Sequence, residues 1–311
     1  MGKLAENWKV CRICGNACSV NRETDDQRGM CGVPPLPHVA WHGLHLGEEP
    51  PISGDGGCAN IFFAGCNLKC VYCQNWQISQ EQISNEKPLT ATQLADLILS
   101  YQDSGAQSVG LVSPSPHLLT VVPALEEARR RGLTLPIVFN TGSYETVEAL
   151  ASLEGLVDIY LPDLKYGTSE AGAVYSGVLD YVRISRAAVL EMFRQVGHLQ
   201  LDARGRATKG LLVRHLVLPA DRSDSTEVLD WLARNLGKEL HLSIMSQYKP
   251  NHMVDRGFFP ELARPVTRQE YDFVLDYALG KGFKNIYFQS PDSKDTGNPD
   301  FTSQTPFKWE S

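Results

Sequence analysis

From Ala59 onward the chain repeats one rhythm: a short apolar run, then a segment whose apolar residues fall at helical spacing. The runs are "ANIFFAG" (59–65), "SVGLVS" (108–113), "PIVFNT" (136–141), "VDIYLPD" (157–163), "LLVRHLVLP" (211–219), "LHLSIMSQ" (240–247) and "NIYFQS" (285–290). Between them, Leu94, Leu97, Ile98 and Tyr101 predict one helix face, and Val121, Val122, Leu125 and Ala128 a second. Val147, Leu150 and Ala151 predict a third, followed after the next run by helical segments ending near Val196. Val228, Leu229, Leu232 and Leu236 predict a further helix stopped by Gly237, and Tyr271, Val274, Leu275 and Ala278 a last one. Thr90 with Gln93 and Thr267 with Glu270 have capping-box spacing. Such a chain pairs its strands in parallel through right-handed crossovers. Six units plus a final strand predict an α/β fold, an open or partial (β/α)6 barrel rather than a full eightfold one. "HLQLDARGRATKG" (198–210) interrupts the rhythm as a polar hairpin. Ligands of such sheets collect at the carboxyl ends of the strands.

The cysteines keep to one end. All eight lie in the first 73 residues, and the remaining 238 (311 − 73) have none. With 42% hydrophobic residues the chain can bury a large core without disulfides. Net charge is −7 and no Lys/Arg run offers a phosphate-binding face, so no nucleic-acid partner is expected. "MGKLAENWKV" has no apolar signal core, and no run approaches membrane-spanning length. These features predict a soluble, cytoplasmic protein with no membrane partner. There, clustered thiols are metal ligands rather than disulfides.

Cys66, Cys70 and Cys73 follow the first apolar run with three and two residues between them. Thiolates suit zinc or iron–sulfur clusters. A structural zinc takes four protein ligands; three thiols leave one position free, which on a cubane is one iron open to a small ligand. Upstream, "CRICGNACSVNRETDDQRGMCG" (11–32) supplies Cys11, Cys14, Cys18 and Cys31, a complete four-thiolate set. Zinc and iron–sulfur both satisfy it: it reads as a zinc staple on a coil-rich arm or as an auxiliary cluster that passes electrons. The chain thus divides into a cysteine-rich metal-binding arm (1–50), a barrel (51–290) and a tail (291–311), whose Phe301, Phe307 and Trp309 are expected to pack on the barrel. Cys58 reads as a small buried residue. His38, His42 and His45 lack a completing ligand set. His117 reads as a helix cap or as a group turned toward substrate.

Cys-x3-Cys-x2-Cys after the first strand, with Tyr72 just before the third cysteine, resembles the radical S-adenosylmethionine (SAM) enzymes. "SGDGGCANIFFAGCNLKCVYCQN" (53–75) resembles the opening of the glycyl-radical-enzyme activases, and "FNTGSY" (139–144), "LPDLKYG" (161–167) and "VRHLVLP" (213–219) match later activase motifs in order. The likeness runs from about His45 to Gln247. It is greatest to pyruvate formate-lyase activating enzyme-like proteins with an N-terminal cysteine segment.

The resemblance implies an activating-enzyme-like oxidoreductase, with a 4Fe–4S cluster on Cys66, Cys70 and Cys73 whose open iron chelates SAM. An electron from a donor such as flavodoxin or ferredoxin then releases methionine and a 5′-deoxyadenosyl radical. The radical takes hydrogen from a substrate: a glycyl-radical-type protein partner, or a small metabolite or peptide. By the same resemblance Tyr72 lies near the adenine, and Asp163 and Lys165 face the ribose and methionine end. Asn140, Thr141 and Asp163 help hold a monovalent cation. His215 faces SAM or substrate, and His45, Glu48 and Glu49 lie beside the barrel mouth. Lys165 and His215 would be the catalytic side chains. The competing reading from another class is a non-enzymatic iron–sulfur electron carrier, which would need no such site. Two departures stand out. "VSPSPH" (112–117) replaces the family's Gly-Gly-Glu and has no carboxylate, and the extra cysteines precede the main motif rather than follow it.

Overall fold

The computed structural model describes residues 2–24, 28–81, 88–288, 299–303 and 305–307. Strand β1 (Val39–His45) lies antiparallel to β2 (Cys58–Phe63). From β2 the sheet continues in parallel through β3 (Ser108–Val112), β4 (Ile137–Thr141), β5 (Ile159–Pro162), β7 (Ala207–Leu216), β8 (His241–Met245) and β9 (Asn285–Phe288). β6 (Gln200–Leu201) pairs antiparallel with the start of β7. The six β/α units and closing strand expected from the rhythm are present. β1 gives no signal in that rhythm, and β7 begins before the apolar run because the 198–210 hairpin gives Ala207 and Lys209 their partners.

Register sorts every strand residue to one of two faces. Ala59, Ile61 and Phe63 of β2 point outward with Leu211 and Val213 of β7 and Leu242 and Ile244 of β8, into the core shared with the helices. That core takes in the faces of helices Ala91–Asp103, Leu118–Arg130, Tyr181–Val196, Ser225–Leu236 and Arg268–Lys281. Both capping boxes form, at Thr90/Gln93 and Thr267/Glu270, each satisfying two end-of-helix N–H groups. The five-residue helix Val147–Ala151 turns Leu150 inward but leaves Val147 exposed, contrary to the predicted face.

The opposite face lines the barrel. Cys58, Val138, Ile159, Leu161 and Leu212 close its floor with Ile52, Leu199 and Ala207. Cys58 is thus a small buried residue. Above that floor the inward positions turn polar: Asn60, Asn140, Asp163, Arg214 and Ser243. Phe301 and Phe307 pack on Phe62, and Phe307 also on Trp41. Trp309 lies outside the described residues.

His117 neither caps its helix nor reaches the barrel cavity. It is buried, and its Nε2 stands 2.7 Å from the carbonyl of Ala64, which only accepts; Nε2 therefore carries the proton. Burial holds its pKa down to about 3, against an ordinary 6.5. The unfolded chain takes up this proton below about pH 6.5 while the folded chain refuses it, so stability falls with pH in that window. The slope is up to ~1.4 kcal/mol per pH unit and flattens near pH 3. Urea midpoints measured from pH 7 to pH 4 are expected to drop accordingly, and His117→Gln to flatten the drop.

Candidate active site

At the carboxyl ends of the strands lies a cavity of about 690 Å³. Cys66, Cys70 and Cys73 all line it, on the loop leaving β2. Gly65 opens that loop with φ +78, and a Cβ there would sit 2.1 Å from Val33 and 2.8 Å from the Cys31 carbonyl. Only glycine lets the N-terminal arm come this close. Ser176 Oγ lies 3.0 Å from Cys70 Sγ, Ser79 Oγ lies 3.3 Å from Cys73 Sγ, and the Leu68 N–H points at Cys66 Sγ. Burial first, and Cys70 next, push the Cys66 thiol up to about 12 and that of Cys73 to about 11. Such thiols ionise only when a cation or cluster arrives, so loading releases protons.

Among the described residues, no three His, Cys, Asp or Glu side chains are already arranged to hold a metal ion. Three sulfurs facing one large cavity instead match what a multi-iron cluster with one open iron needs, and each already has a hydrogen-bonding neighbour of the kind that tunes such clusters.

Tyr72, Asn140, Thr141, Asp163 and Lys165 line the same cavity. Lys165 Nζ is 2.6 Å from Asp163 Oδ2. Burial alone would lower the lysine's pKa, but Asp163 beside it raises it instead, so the ammonium persists. Tyr72 Oη contacts Tyr166 Oη at 2.7 Å, Tyr166 reaches Ser176 at 2.8 Å, and Ser176 meets Cys70. A chain of hydroxyls therefore connects the cavity wall to one sulfur. Thr141 and Ser115 both donate to Oε1 of Glu145, whose Oε2 is buried without a partner. Burial raises the pKa of Glu145. Sequence reading misses this residue, although it stands four positions after Thr141.

His215 is a correction. Arg214 and Leu216 line the cavity, but His215 between them faces the other way. It pairs in register with Ile244, on the outer face, and is 0% exposed. Its Nδ1 donates to the Leu164 carbonyl at 2.7 Å, which leaves Nε2 to accept from Ser225 Oγ at 2.9 Å. It pins β7 to the start of helix Ser225–Leu236 and does not touch the cavity. His215→Ala removes the side-chain donor to the Leu164 carbonyl and one of the two partners of Ser225 Oγ, and is expected to cost about 1–3 kcal/mol of stability, read in urea.

The group that does point inward is Arg214. Its Nε donates to Glu49 Oε1 at 2.8 Å, and its Nη2 to Glu49 Oε2 at 2.5 Å and to Glu48 Oε2. Glu48 Oε1 also accepts from Asn60 Nδ2 at 2.6 Å and lies 3.4 Å from His45 Nδ1. Burial would raise Glu48, but Arg214 and then His45 hold it at about 2. His45, Glu48 and Glu49 do flank the cavity; His42 instead bonds Tyr101, so the histidines do not converge.

Residues 60–216, the span holding the three cysteines, Tyr72, Asn140, Thr141, Asp163, Lys165 and Arg214, match the Radical SAM superfamily. An uncharacterised protein of Methanocaldococcus jannaschii is 33% identical over 294 residues, covering 92% of this chain and 79% of that protein. A Haemophilus influenzae protein bearing the name of a glycyl-radical enzyme activating enzyme is 27% identical over 115 residues, 37% of this chain and 43% of that one. Two solved structures share the fold. Streptococcus suis SuiB bound to precursor peptide SuiA has a TM-score of 0.50 at 13% identity, over 72% of this chain and 46% of that one. HydG, a maturase of the FeFe-hydrogenase, has 0.50 at 13%, over 77% and 53%. The chain therefore spans about half the length of those two structures, and at such identities the likeness is one of fold alone. With its sulfur-lined cavity, parallel partial barrel and matched span, the chain belongs to the radical SAM superfamily.

Proposed function

We propose that this protein binds a 4Fe–4S cluster on Cys66, Cys70 and Cys73 and cleaves SAM reductively beside it. The reading rests on one observation: the three thiols share a single cavity with Asp163, Lys165, Thr141 and Tyr72. Held by these cysteines, a reduced cluster would supply the one electron that parts SAM at its sulfonium into methionine and a 5′-deoxyadenosyl radical, the species that would take hydrogen from the substrate. In this reading Lys165, kept charged by Asp163, donates to the ribose or the carboxylate of SAM. Tyr72 packs against the adenine. Asn140, Thr141 and Asp163 supply oxygens for a monovalent cation. The Arg214–Glu48–Glu49 group forms the polar end of the cavity, where substrate docks. The electron comes from a low-potential protein donor such as flavodoxin or ferredoxin.

A glycyl-radical protein as substrate is favoured by the name of the Haemophilus influenzae relative. A small metabolite or peptide is favoured by the cavity's bounded volume of about 690 Å³, with Phe307 in its lining. The test is anaerobic: reconstitute, reduce, add SAM and measure 5′-deoxyadenosine. Deuterated candidates follow, with label sought in that product. An electron carrier would leave SAM intact, and that result would overturn the proposal.

A further inference from the structure

Outside the cavity, Cys11, Cys14, Cys18 and Cys31 surround a second, small void with Arg22 and Asn16. The backbone there is ordered by its own pairing: Cys11 N–H donates to the Val20 carbonyl and Ser19 N–H to that of Cys11, both at 3.0 Å. A Cβ on Gly29 would stand 2.7 Å from Cys18 Sγ, so the loop is shaped around that sulfur. The arm is fixed to the barrel by Gly15 N–H to the Tyr144 carbonyl at 3.1 Å and Thr146 N–H to that of Ile13 at 3.0 Å.

Among the described residues, Arg22 sits in this setting with no ion pair to a carboxylate. It is 3% exposed. Its Nη2 donates to the carbonyls of Pro34 and Pro116, each at 3.1 Å, and its Nη1 lies 3.9 Å from Cys31 Sγ. Its Nε is buried without a partner. A guanidinium does not lose its proton in proteins, and a buried unpaired charge is strongly destabilising. Negative charge is needed to balance it, and among the described residues Cys11 and Cys31 are the acidic groups beside it. Four thiolates around a divalent ion, or around an iron–sulfur cluster, retain excess negative charge.

We infer that Cys11, Cys14, Cys18 and Cys31 hold an anionic four-thiolate metal centre whose counter-charge is the buried guanidinium of Arg22. Their side chains do not converge on a single point, and the void between them is about 10 Å³, roughly one water-sized space. Loading therefore takes rotation of the four side chains within a preformed loop. The centre is separate from the barrel cluster but linked to it. Asn16 Nδ2 lies 3.7 Å from Cys14 Sγ and donates to the Asn67 carbonyl at 2.7 Å, beside Cys66. Arg22 is a positioning residue: it balances the centre's charge and holds no metal itself.

The experiment uses the full chain carrying Cys66, Cys70 and Cys73→Ala, isolated without oxygen, so that any metal found belongs to the arm and the outcome does not depend on SAM chemistry. Elemental analysis is expected to find either one zinc per chain or iron with matching sulfide; both support the centre, and they decide its kind. No bound metal, with the four thiols alkylated freely or paired as disulfides, overturns it. In the same background Arg22→Gln is expected to speed metal loss to a chelator about tenfold or more, as neighbours that tune a metal site do. Arg22→Lys, which keeps the charge, should recover part of that retention. Equal metal retention by wild type and Arg22→Gln would overturn the role of Arg22. If Arg22→Gln does not fold, the metal content of the arginine-bearing chain still decides the centre, and Arg22→Lys the charge.

Discussion

Replacing Cys66, Cys70 and Cys73 together by alanine is expected to abolish 5′-deoxyadenosine formation rather than slow it. The three sulfurs are the cysteine ligands this cavity offers, and thiolates are what hold an iron–sulfur cluster. Without them the proposed cluster loses its thiolate ligands in the cavity. The fold should survive. Cys66 and Cys73 are only partly buried, and Cys70, though buried, packs in the smaller cluster around Leu68 and Tyr72 rather than in the core between strands and helices. A thermal melt checks that point, and chromatographic detection of 5′-deoxyadenosine checks the chemistry. Undiminished cleavage by a folded variant would sink the assignment of the cluster loop.

Arg214→Met is expected to produce the largest loss of stability among single changes at the cavity. It removes the guanidinium that, among the described residues, pairs with both Glu48 and Glu49, whose side chains are 8% and 7% exposed. Breaking a buried pair by deleting one partner typically costs about 3–5 kcal/mol, because the remaining charge has nowhere to go. Two carboxylates would be stranded side by side, so one of them would protonate, and the midpoint in urea would fall most steeply as pH rises. Adding Glu49→Gln should recover part of the loss. If Arg214→Met melts like wild type, the three groups are not the coupled unit their distances describe.

How much of this can be read in the sequence depends on face and period. The alternation of apolar runs and helical faces carries the barrel, and Thr-x-x-Gln/Glu locates two helix starts within a residue. "LLVRHLVLP" is harder. A parallel strand covered on both faces is apolar throughout and gives no alternation. Nothing in the run tells whether Arg214 or His215 looks inward, and the motif match favours the wrong one. Register against β8 decides it. β1 escapes notice because "VAWHGLH" mixes polar and apolar residues around a glycine, as an edge strand tolerates. Glu145 and Arg22 give no periodic signal. Each matters only because the fold brings a distant group to it, Ser115 in one case and Pro116 in the other.

The sheet's two ends are unequal to a closed ring. Among the described residues β1 pairs with β2 alone and β9 with β8 alone, yet His45, Tyr287 and Phe307 border one cavity. Along the β1 edge the wall is built from rings in contact: Phe307 against His45 at 4.6 Å, Trp41 at 5.0 Å and Phe62 at 5.4 Å. Parting aromatic contacts costs only dispersion and a little area, about 0.5–1.5 kcal/mol per pair beyond burial, whereas unzipping a strand sacrifices a ladder of hydrogen bonds. Among the described residues, this stretch of wall therefore yields at less cost than any strand pairing, and every strand would keep its neighbours if it moved.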